Sequence, residues 1–332
     1  MKRFLRHQWF LISLLLVVVL GFAAEDALTT LEKNFPKQAL VAVVLFLMSF
    51  TLDAGAMWRA VRRPLGTLLA IVVNMGVLPL IAWGLSHWLS SDLALGLMLM
   101  SVVPCTLASA AVWTRRADGN DAIALVVTMV TNFSCFLVTP LWLLVMTGKD
   151  FRGAIQPWEM AADLSLIVVV PMAVGQLLRL RRPLGQWATR HKVSFSAIAQ
   201  IGILAMVLFG SIRSGRELSQ LPASESIAAG QWALMIAAVV LVHVIALFLG
   251  FGAGKAAGLV RADWIAVGVA GSQKTLMVGL YLATAYHDFF TGIAVLPMVA
   301  YHIGQLLLDT VVADRLRGRP LSTDLAESLE TG

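Results

Sequence analysis

Charged residues are scarce in this chain. Asp, Glu, Lys and Arg make up 13% of its 332 residues, whereas soluble proteins average about 25%. Hydrophobic residues make up 59% of the chain, and the mean hydropathy is +0.83. Because a water-soluble fold cannot bury this much apolar surface, the composition predicts an all-α integral membrane protein. No polar stretch is long enough to form a second, soluble domain.

Cysteine and enzyme motifs are equally sparse. The two cysteines, Cys105 and Cys135, lie in apolar stretches, so we predict no disulfide framework. No nucleophile-elbow, nucleotide-binding or metal-ligand spacing occurs, so we predict neither an enzyme nor an organic cofactor. The net charge of +6 comes from short basic clusters between apolar stretches. This distribution argues against nucleic acid as a partner and leaves membrane lipid and a homo-oligomer as candidates.

Hydropathy predicts a single transmembrane domain over residues 1–314, followed by a polar cytoplasmic tail at 315–332. If the chain is an inverted repeat, repeat 1 covers about 1–150 and repeat 2 about 151–314. The ten predicted spans are 8–24, 36–57, 65–89, 93–114, 121–147, 161–180, 194–213, 228–250, 263–287 and 291–313.

The loops differ in their basic residues. Eighteen Lys and Arg residues fall on one side of the ten-span map and six on the other. Because cytoplasmic loops are enriched in Lys and Arg, we predict a multi-pass protein of the cell (inner) membrane, with both termini in the cytoplasm. The poorer side carries Lys33, Lys37, Lys149, Arg152, Arg213 and Arg216.

The first span has two interpretations. Three basic residues, an apolar core and the run 21–24 before Glu25 resemble a secretory signal peptide. A retained helix gives ten spans, which divide into two halves of five, and we favour it for that reason. Cleavage would leave nine spans.

The ninth predicted span is polar at its centre. Helical geometry places Lys274 near the middle of a bilayer about 30 Å thick, where a lysine is costly. Glycines and small polar residues around it favour a helix interrupted at mid-membrane, as in secondary transporters. A lysine that snorkels to the interface, or a packing helix whose lysine pairs with an acid, would give the same pattern. The polar residues of this run are Ser272, Gln273, Lys274 and Thr275.

The fourth predicted span corresponds to the ninth in the repeat and is also interrupted. Pro104 lies at its centre, where a proline removes a backbone hydrogen bond. Thr106 and Ser109 follow, and hydroxyl groups can satisfy freed carbonyls or bind an ion.

Two neighbouring spans add polar faces. Thr128, Thr131 and Asn132 share one face of the fifth span, and Ser134 follows. The threonine oxygens suit a small hard cation or hydrogen bonds between helices, and for Asn132 we favour the cation. The tenth span carries His302, Gln305 and Asp309 on one face. This face is able to line a cavity or supply a partner for Lys274. His243 in the eighth span is interpreted as a packing residue.

These motifs resemble those of the bile acid:sodium symporter family, in its divergent SBF-like branch. The resemblance is carried by residues 104–109, Gly119-Asn120, the Thr/Asn/Ser-rich fifth span ending in Thr139-Pro140, and residues 271–275. It implies ten helices in two inverted five-helix repeats, with discontinuous helices 4 and 9 crossing. A panel domain of spans 1, 2, 6 and 7 would move against a core domain of spans 3–5 and 8–10.

The resemblance also implies site residues. Ser109, Asn132 and Gln273 match sodium-binding positions of the family, and Thr131 and Ser134 lie beside them. Substrate or charge coupling would involve the residues at and beside the two interruptions, namely Lys274, Thr106, Ser272, Thr275, His302 and Gln305.

One position departs from the family pattern. The family's carriers have a glutamate four residues before the glutamine, where this chain has Val269. A lysine beside the glutamine is unfavourable to a nearby cation. Either Lys274 replaces one ion, with coupling to H⁺ or to a single Na⁺, or it is the countercharge of an anionic substrate.

The sequence therefore predicts a secondary active transporter that moves a small organic anion with Na⁺, or with H⁺, by alternating access. The alternative is a cation/proton antiporter of related inverted-repeat fold. Antiporters of that type usually carry acidic residues at the crossover, and spans 4, 5 and 9 have none there.

Overall fold

The computed structural model describes residues 2–52, 64–222 and 226–317. Several predicted features lie outside this part of the chain, namely residues 53–57 of the second span, the basic cluster Arg59, Arg62 and Arg63, and residues 318–332 of the tail.

Regular structure in the described residues is helical throughout. The helices are α1 (Lys2–Ala23), α2 (Glu25–Asn34), α3 (Lys37–Phe50), α4 (Pro64–Ser86), α5 (Ser91–Val102), α6 (Ser109–Arg116), α7 (Asp121–Thr147), α8 (Lys149–Ala154), α9 (Pro157–Arg179), α10 (Arg182–Arg190), α11 (Lys192–Gln220), α12 (Ala229–Ala256), α13 (Arg261–Ser272), α14 (Leu276–Ala285) and α15 (Val295–Leu316).

Seven helices of the described chain are long and apolar enough to cross a membrane, counting α13 and α14 as one and including the turn before α15. They are Pro64–Ser86, Asp121–Thr147, Pro157–Arg179, Lys192–Gln220, Ala229–Ala256, Arg261–Ala285 and Gly292–Leu316. The pair Trp9–Ala23 and Glu25–Asn34 passes the same test together but is bent by 104°. Helices α3 and α5 are apolar but shorter. The chain is an integral membrane protein with several spans.

Both predicted interruptions are present. The predicted span 93–114 consists of α5 and α6, with residues 103–108 between them. The predicted span 263–287 consists of α13 and α14, separated by residues 273–275, of which Gln273 and Thr275 have extended backbones. Gly268 lies within α13, where an added Cβ would collide with the Phe251 ring. Its role is therefore close packing of α13 against α12.

The helices form two groups. In the first helix group, α11 packs against α1, α2 and α3, and α9 packs against α3. In the second helix group, α13 packs against α12, α4, α6 and α7, while α15 packs against α5, α6 and α12. The groups meet through α11, which contacts α14, α15 and the turn Gly292–Ala294, and through α9, which contacts α7.

The first helix is integrated into this packing. Leu14 is fully buried, and an added Cβ at Gly21 would meet Ser211 of α11 at 2.5 Å. Phe10 lies edge-on to His302, with ring centroids 6.3 Å apart. Whether the segment is cleaved or retained stays a prediction.

Candidate functional site

The first interruption exposes backbone groups that α7 satisfies. The Asn132 amide donates to the Cys105 carbonyl at 2.8 Å, and the Thr139 hydroxyl donates to the Val102 carbonyl at 2.9 Å. The Thr128 hydroxyl donates to the Thr106 carbonyl at 3.0 Å. The polar residues of α7 thus hold the unwound segment in place, as buried backbone groups require.

The second interruption is satisfied by α4 and α15. The Asn74 amide donates to the Ala270 carbonyl at 3.0 Å and to the Gln273 carbonyl at 2.8 Å. The Gln305 side chain accepts from the Lys274 N–H and donates to the Lys274 carbonyl, both at 3.0 Å. These two amides bind most of the backbone that the break frees.

The two interruptions touch each other. The Thr275 N–H donates to the Pro104 carbonyl at 2.8 Å, a backbone hydrogen bond that joins one unwound segment to the other. Lys274, beside it, is 2% exposed. The two interruptions are therefore in direct contact, and a buried lysine lies beside that contact.

Lys274 is enclosed by neutral oxygen atoms. Its Nζ lies 2.6 Å from the Asn74 carbonyl, 3.1 Å from Asn74 Oδ1 and 2.8 Å from the Val103 carbonyl. An ammonium group has three donors, and each is used. The partner is Asn74 rather than an acid, and this asparagine was not singled out from the sequence.

The local structure of α4 explains why the Asn74 carbonyl is free. Residues Val73–Val77 form one π-helical turn, in which the Leu78 N–H donates to the Val73 carbonyl rather than to that of Asn74. Pro79 follows and has no N–H. The asparagine five residues before a mid-span proline was the available sequence signal, since π turns in helices are frequent at functional sites.

A second polar cluster centres on Gln273, which is fully buried. Its Oε1 lies 2.7 Å from both the Thr106 and the Ser109 hydroxyls. Its Nε2 donates to Asp309 Oδ2 at 2.5 Å. The structure therefore brings together Thr106, Ser109 and Gln273, from opposite interruptions, around one oxygen atom.

Asn132 adds a buried side-chain oxygen. Its Nδ2 donates to the Cys105 and Thr128 carbonyls, and within the described part of the chain no group forms a hydrogen bond with its Oδ1. Thr131 is also at the break, where its hydroxyl accepts from the Cys105 N–H at 3.2 Å. Ser134 is not part of this cluster, because its hydroxyl bonds the Val130 carbonyl and the Met75 sulfur.

The remaining predicted residues lie around the second interruption. The Ser272 carbonyl accepts from the Tyr301 hydroxyl at 2.5 Å, and His302 Nδ1 lies 2.8 Å from Gln305 Nε2. The His302 ring and Thr275 both line a cavity. Asp309 does not pair with Lys274. It binds His243 instead, with His243 Nε2 at 3.0 Å from Asp309 Oδ1, so this histidine is part of the polar network.

A cavity of about 440 Å³ lies between the two helix groups. Phe10 of α1 and Gln200 of α11 line one side, and Thr106, Ser109 and His302 line the other. An adjoining cavity of about 800 Å³ shares Leu107 and Ala108 and carries Arg115 and Lys192. Lys274 lines neither cavity.

The opposite end of the interface is closed. Arg213 of α11 is 9% exposed and donates to the carbonyls of Ala283 and Phe290, both at 2.7 Å, and of His287 at 3.1 Å. The Gly292 N–H donates to Glu217, and an added Cβ at Gly292 would meet the Arg213 backbone at 2.9 Å. Only a glycine permits this approach.

Comparison with known proteins finds relatives that are named as transporters. The Sodium/bile acid cotransporter 7-B of Xenopus laevis is 25% identical over 96% of this chain and 94% of that protein. The Uncharacterized sodium-dependent transporter YocS of Bacillus subtilis (strain 168) is 24% identical over 92% of this chain and 90% of its own length. The Probable sodium/metabolite cotransporter BASS4, chloroplastic, of Arabidopsis thaliana is 26% identical over 70% of this chain and 55% of that protein.

The family assignment covers almost the whole chain. The profile of the SBF-like CPA transporter family matches residues 8–318, which include both interruptions and every residue of the polar clusters. The description is that of a transporter family, not of an enzyme family. The chain belongs to the SBF-like CPA transporter family.

Proposed function

We propose that this protein is a Na⁺-coupled secondary transporter that moves a small organic anion by alternating access. The observation that carries the proposal is the contact between the two interruptions, with the Thr275 N–H on the Pro104 carbonyl, beside a cavity between two helix groups. Discontinuous helices that cross next to such a cavity are the substrate and ion sites of secondary transporters.

The proposed architecture has ten spans in two inverted repeats of five. The first helix group would be the panel domain and the second the core domain. Support comes from the helices, or interrupted pairs of helices, that the described residues form within the predicted spans, and from the two interruptions, which fall in the fourth and ninth predicted spans.

The proposed Na⁺ site uses hard oxygen atoms of the crossing. Gln273 Oε1 and the hydroxyls of Thr106 and Ser109 are already within hydrogen-bond distance of one another. When Na⁺ binds, both hydroxyls would rotate and present lone pairs. Asn132 Oδ1, which is buried and has no hydrogen-bond partner among the described residues, is the fourth candidate ligand. The names of the Xenopus and Bacillus relatives favour Na⁺ over H⁺ as the coupling ion.

Lys274 would take the place of a bound cation rather than act as a substrate ligand. Its ammonium takes three oxygen ligands from Asn74 and Val103, the donor set that a small hard cation would use. It is enclosed and lines neither cavity, which favours replacement of one ion over a countercharge for the substrate. A single Na⁺ would then be transported.

The substrate would bind in the cavity between the groups. Ser109 and Leu276, the first residues of α6 and α14, line it, and helix N-termini favour a negative charge. Arg116 lines the same cavity, while Arg115 and Lys192 line the adjoining one. The volume and apolar walls of the cavity between the groups suit a small amphipathic anion. The names of the Xenopus and Arabidopsis relatives mention bile acid and metabolite, respectively.

Access would switch by movement of the panel against the core. With both termini in the cytoplasm of the inner membrane, as the loop charges predict, the cavities face inward and the Arg213 contacts close the outer end. Rigid-body movement would break those contacts and close the cavities. The conformation described is then the inward-facing one.

Uptake into proteoliposomes tests the proposal. An inward Na⁺ gradient should drive accumulation of one member of a panel of labelled amphipathic anions. An inward K⁺ gradient of equal size is the control and should not. Ser109→Ala should raise the Na⁺ concentration for half-maximal uptake, while Ser219→Ala, whose hydroxyl only bonds the Arg216 carbonyl of its own helix, should not. Uptake that ignores Na⁺ for every anion contradicts the proposal.

A cation/proton antiporter is the second candidate. It is favoured by the family description and by Asp309, a buried carboxylate that contacts Gln273 at the crossing from α15. Proton release driven by a cation gradient, in liposomes without any organic anion, would establish antiport and replace the symport proposal.

A further inference from the structure

The Gln273 amide has a charged neighbour, Asp309, which belongs to α15 and not to either interrupted pair of helices. We propose that Asp309 is a positioning residue that supplies the negative charge of the cation site through the Gln273 amide. The inference rests on the proposed Na⁺ site and identifies what compensates the cation there.

The first step is the orientation of the amide. A carboxylate can only accept hydrogen bonds, so Asp309 Oδ2, at 2.5 Å, binds the NH₂ end of Gln273. The other end, Oε1, is thereby turned toward the hydroxyls of Thr106 and Ser109. Without the carboxylate, the amide could present its NH₂ group to the same site, which would repel a cation.

The second step is the charge itself. Asp309 is 1% exposed, and the interactions of a charge are strongest where water is excluded. A carboxylate at one end of an amide increases its polarity, so that the charge strengthens Oε1 as a ligand. The Asp309 carboxylate would thus act on a bound cation through the Gln273 side chain and would not be one of its ligands.

The third step concerns the other acidic side chains near the proposed site. Among the interrupted helices and α7, acidic side chains occur only in the first turns, at Asp92, Asp121 and Asp263. Val269, where the resemblance leads us to expect a glutamate, lies in an apolar cluster with Leu247 and Ala313. The residues Thr106, Ser109 and Gln273 are called the cation cluster below. Asp309 on α15 is therefore the carboxylate that contacts this cluster.

His243 holds the carboxylate in this position. Its Nε2 lies 3.0 Å from Asp309 Oδ1, and its Nδ1 lies 3.4 Å from the Ser272 carbonyl and from the Tyr301 hydroxyl. Oδ1 is thus occupied and Oδ2 is left for Gln273. The groups around Asp309 form a short chain from α12 to the cation cluster.

Asp309→Asn tests the charge at nearly constant shape. The Na⁺ concentration for half-maximal uptake should rise by about tenfold or more, equivalent to about 1.4 kcal/mol. The Na⁺-dependent rise in the melting temperature of the purified protein should be lost, while the half-saturating anion concentration at high Na⁺ stays within about twofold, a change in free energy below about 0.5 kcal/mol. Asp288→Asn removes the same charge from an exposed side chain and should change none of these three quantities.

An exchange of the two groups separates charge from structure. Gln273→Glu combined with Asp309→Asn keeps one carboxylate, one amide and the hydrogen bond between them, but places the charge directly in the cation cluster. This double variant should respond to Na⁺ at least as well as the unchanged protein. It also decides the question if the single Asp309→Asn variant does not fold.

The outcomes distinguish failure of the role of Asp309 from failure of the proposed Na⁺-coupled transport. If the unchanged protein responds to Na⁺ and Asp309→Asn responds equally well, the role of Asp309 is overturned and the proposed function stands. The same holds if the unchanged protein responds to Na⁺ but the folded double variant does not. No Na⁺ response in the unchanged protein, in uptake and melting temperature alike, overturns both. Weak Na⁺ binding in Asp309→Asn and recovery in the double variant establish the inference.

Discussion

Two buried cations, Lys274 and Arg213, bind backbone carbonyls in different parts of the molecule. The ammonium of Lys274 contacts Asn74 and Val103, which belong to the same helix group as Lys274 itself. The guanidinium of Arg213 contacts carbonyls of the opposite group. Both charges are satisfied, but only the contacts of Arg213 would have to break if the groups move.

The comparison shows that burial alone does not define a functional role. A cation that binds only within one rigid group can hold a site together throughout a transport cycle. A cation that binds across the interface stabilises one conformation relative to another. Glu217 reinforces this second role, because it binds both Arg213 Nε and the Gly292 N–H.

The largest effect is expected from Lys274→Ala. It removes three hydrogen bonds and leaves buried oxygens unpaired, at a cost of about 1–3 kcal/mol for each group. Uptake should be abolished and the melting temperature should fall, while the protein is still recovered in the membrane. Lys255→Ala, an exposed lysine over the Trp264 ring, is the matched control. Unchanged uptake in Lys274→Ala would disprove the role of the ammonium.

Arg213→Ala should have the next largest effect and a different character. Loss of the carbonyl contacts favours opening of the closed end, so uptake should fall about fivefold, equivalent to about 1 kcal/mol. Arg216 lies on the same helix but pairs with Glu32 and Thr29 of the first group, so Arg216→Ala should have little effect.

Cysteine labelling reports the conformational change directly. In a background of Cys105→Ala and Cys135→Ala, a Thr275→Cys reporter lines the cavity. An impermeant maleimide added outside should label it faster after Arg213→Ala than after Arg216→Ala. Equal rates would show that Arg213 does not hold the outer end closed.

The smallest effect is expected from a single hydroxyl. The Tyr286 hydroxyl donates to Asp163 of α9 at 2.7 Å, across the same interface, so Tyr286→Phe should reduce uptake about twofold, for a loss of about 0.5 kcal/mol. In residues 2–52, 64–222 and 226–317 nothing forms a hydrogen bond with the buried Tyr281 hydroxyl, so Tyr281→Phe should leave uptake and melting temperature unchanged. A similar loss in both variants would assign the effect to packing.

Parts of the site follow from local sequence. Pro104 and the polar run before Leu276 predict both interruptions, because a proline or a buried polar run disturbs an apolar helix at its own position. The mid-membrane depth of Lys274 follows from its distance to the helix ends. Sequence spacing also finds the face that contains Gln305 and Asp309.

Other parts depend on contacts between distant residues. Asn74 is one asparagine in an apolar helix, and only the packing of α4 against α13 makes it the partner of Lys274. Asp309 reaches Gln273 rather than Lys274 because His243 and Gln273 lie on either side of it. The ten-span map puts Arg213 at the end of the seventh span, on the side poorer in Lys and Arg, whereas α11 continues to Gln220 and the turn after α14 covers the guanidinium.

The most direct test of the account is the Na⁺ dependence of initial uptake rates in proteoliposomes at a saturating anion concentration. If Lys274 permanently occupies one cation position and a single Na⁺ binds at Gln273, the Hill coefficient should be about 1. A Hill coefficient near 2 would mean that two sodium ions bind cooperatively and would contradict the role assigned to Lys274.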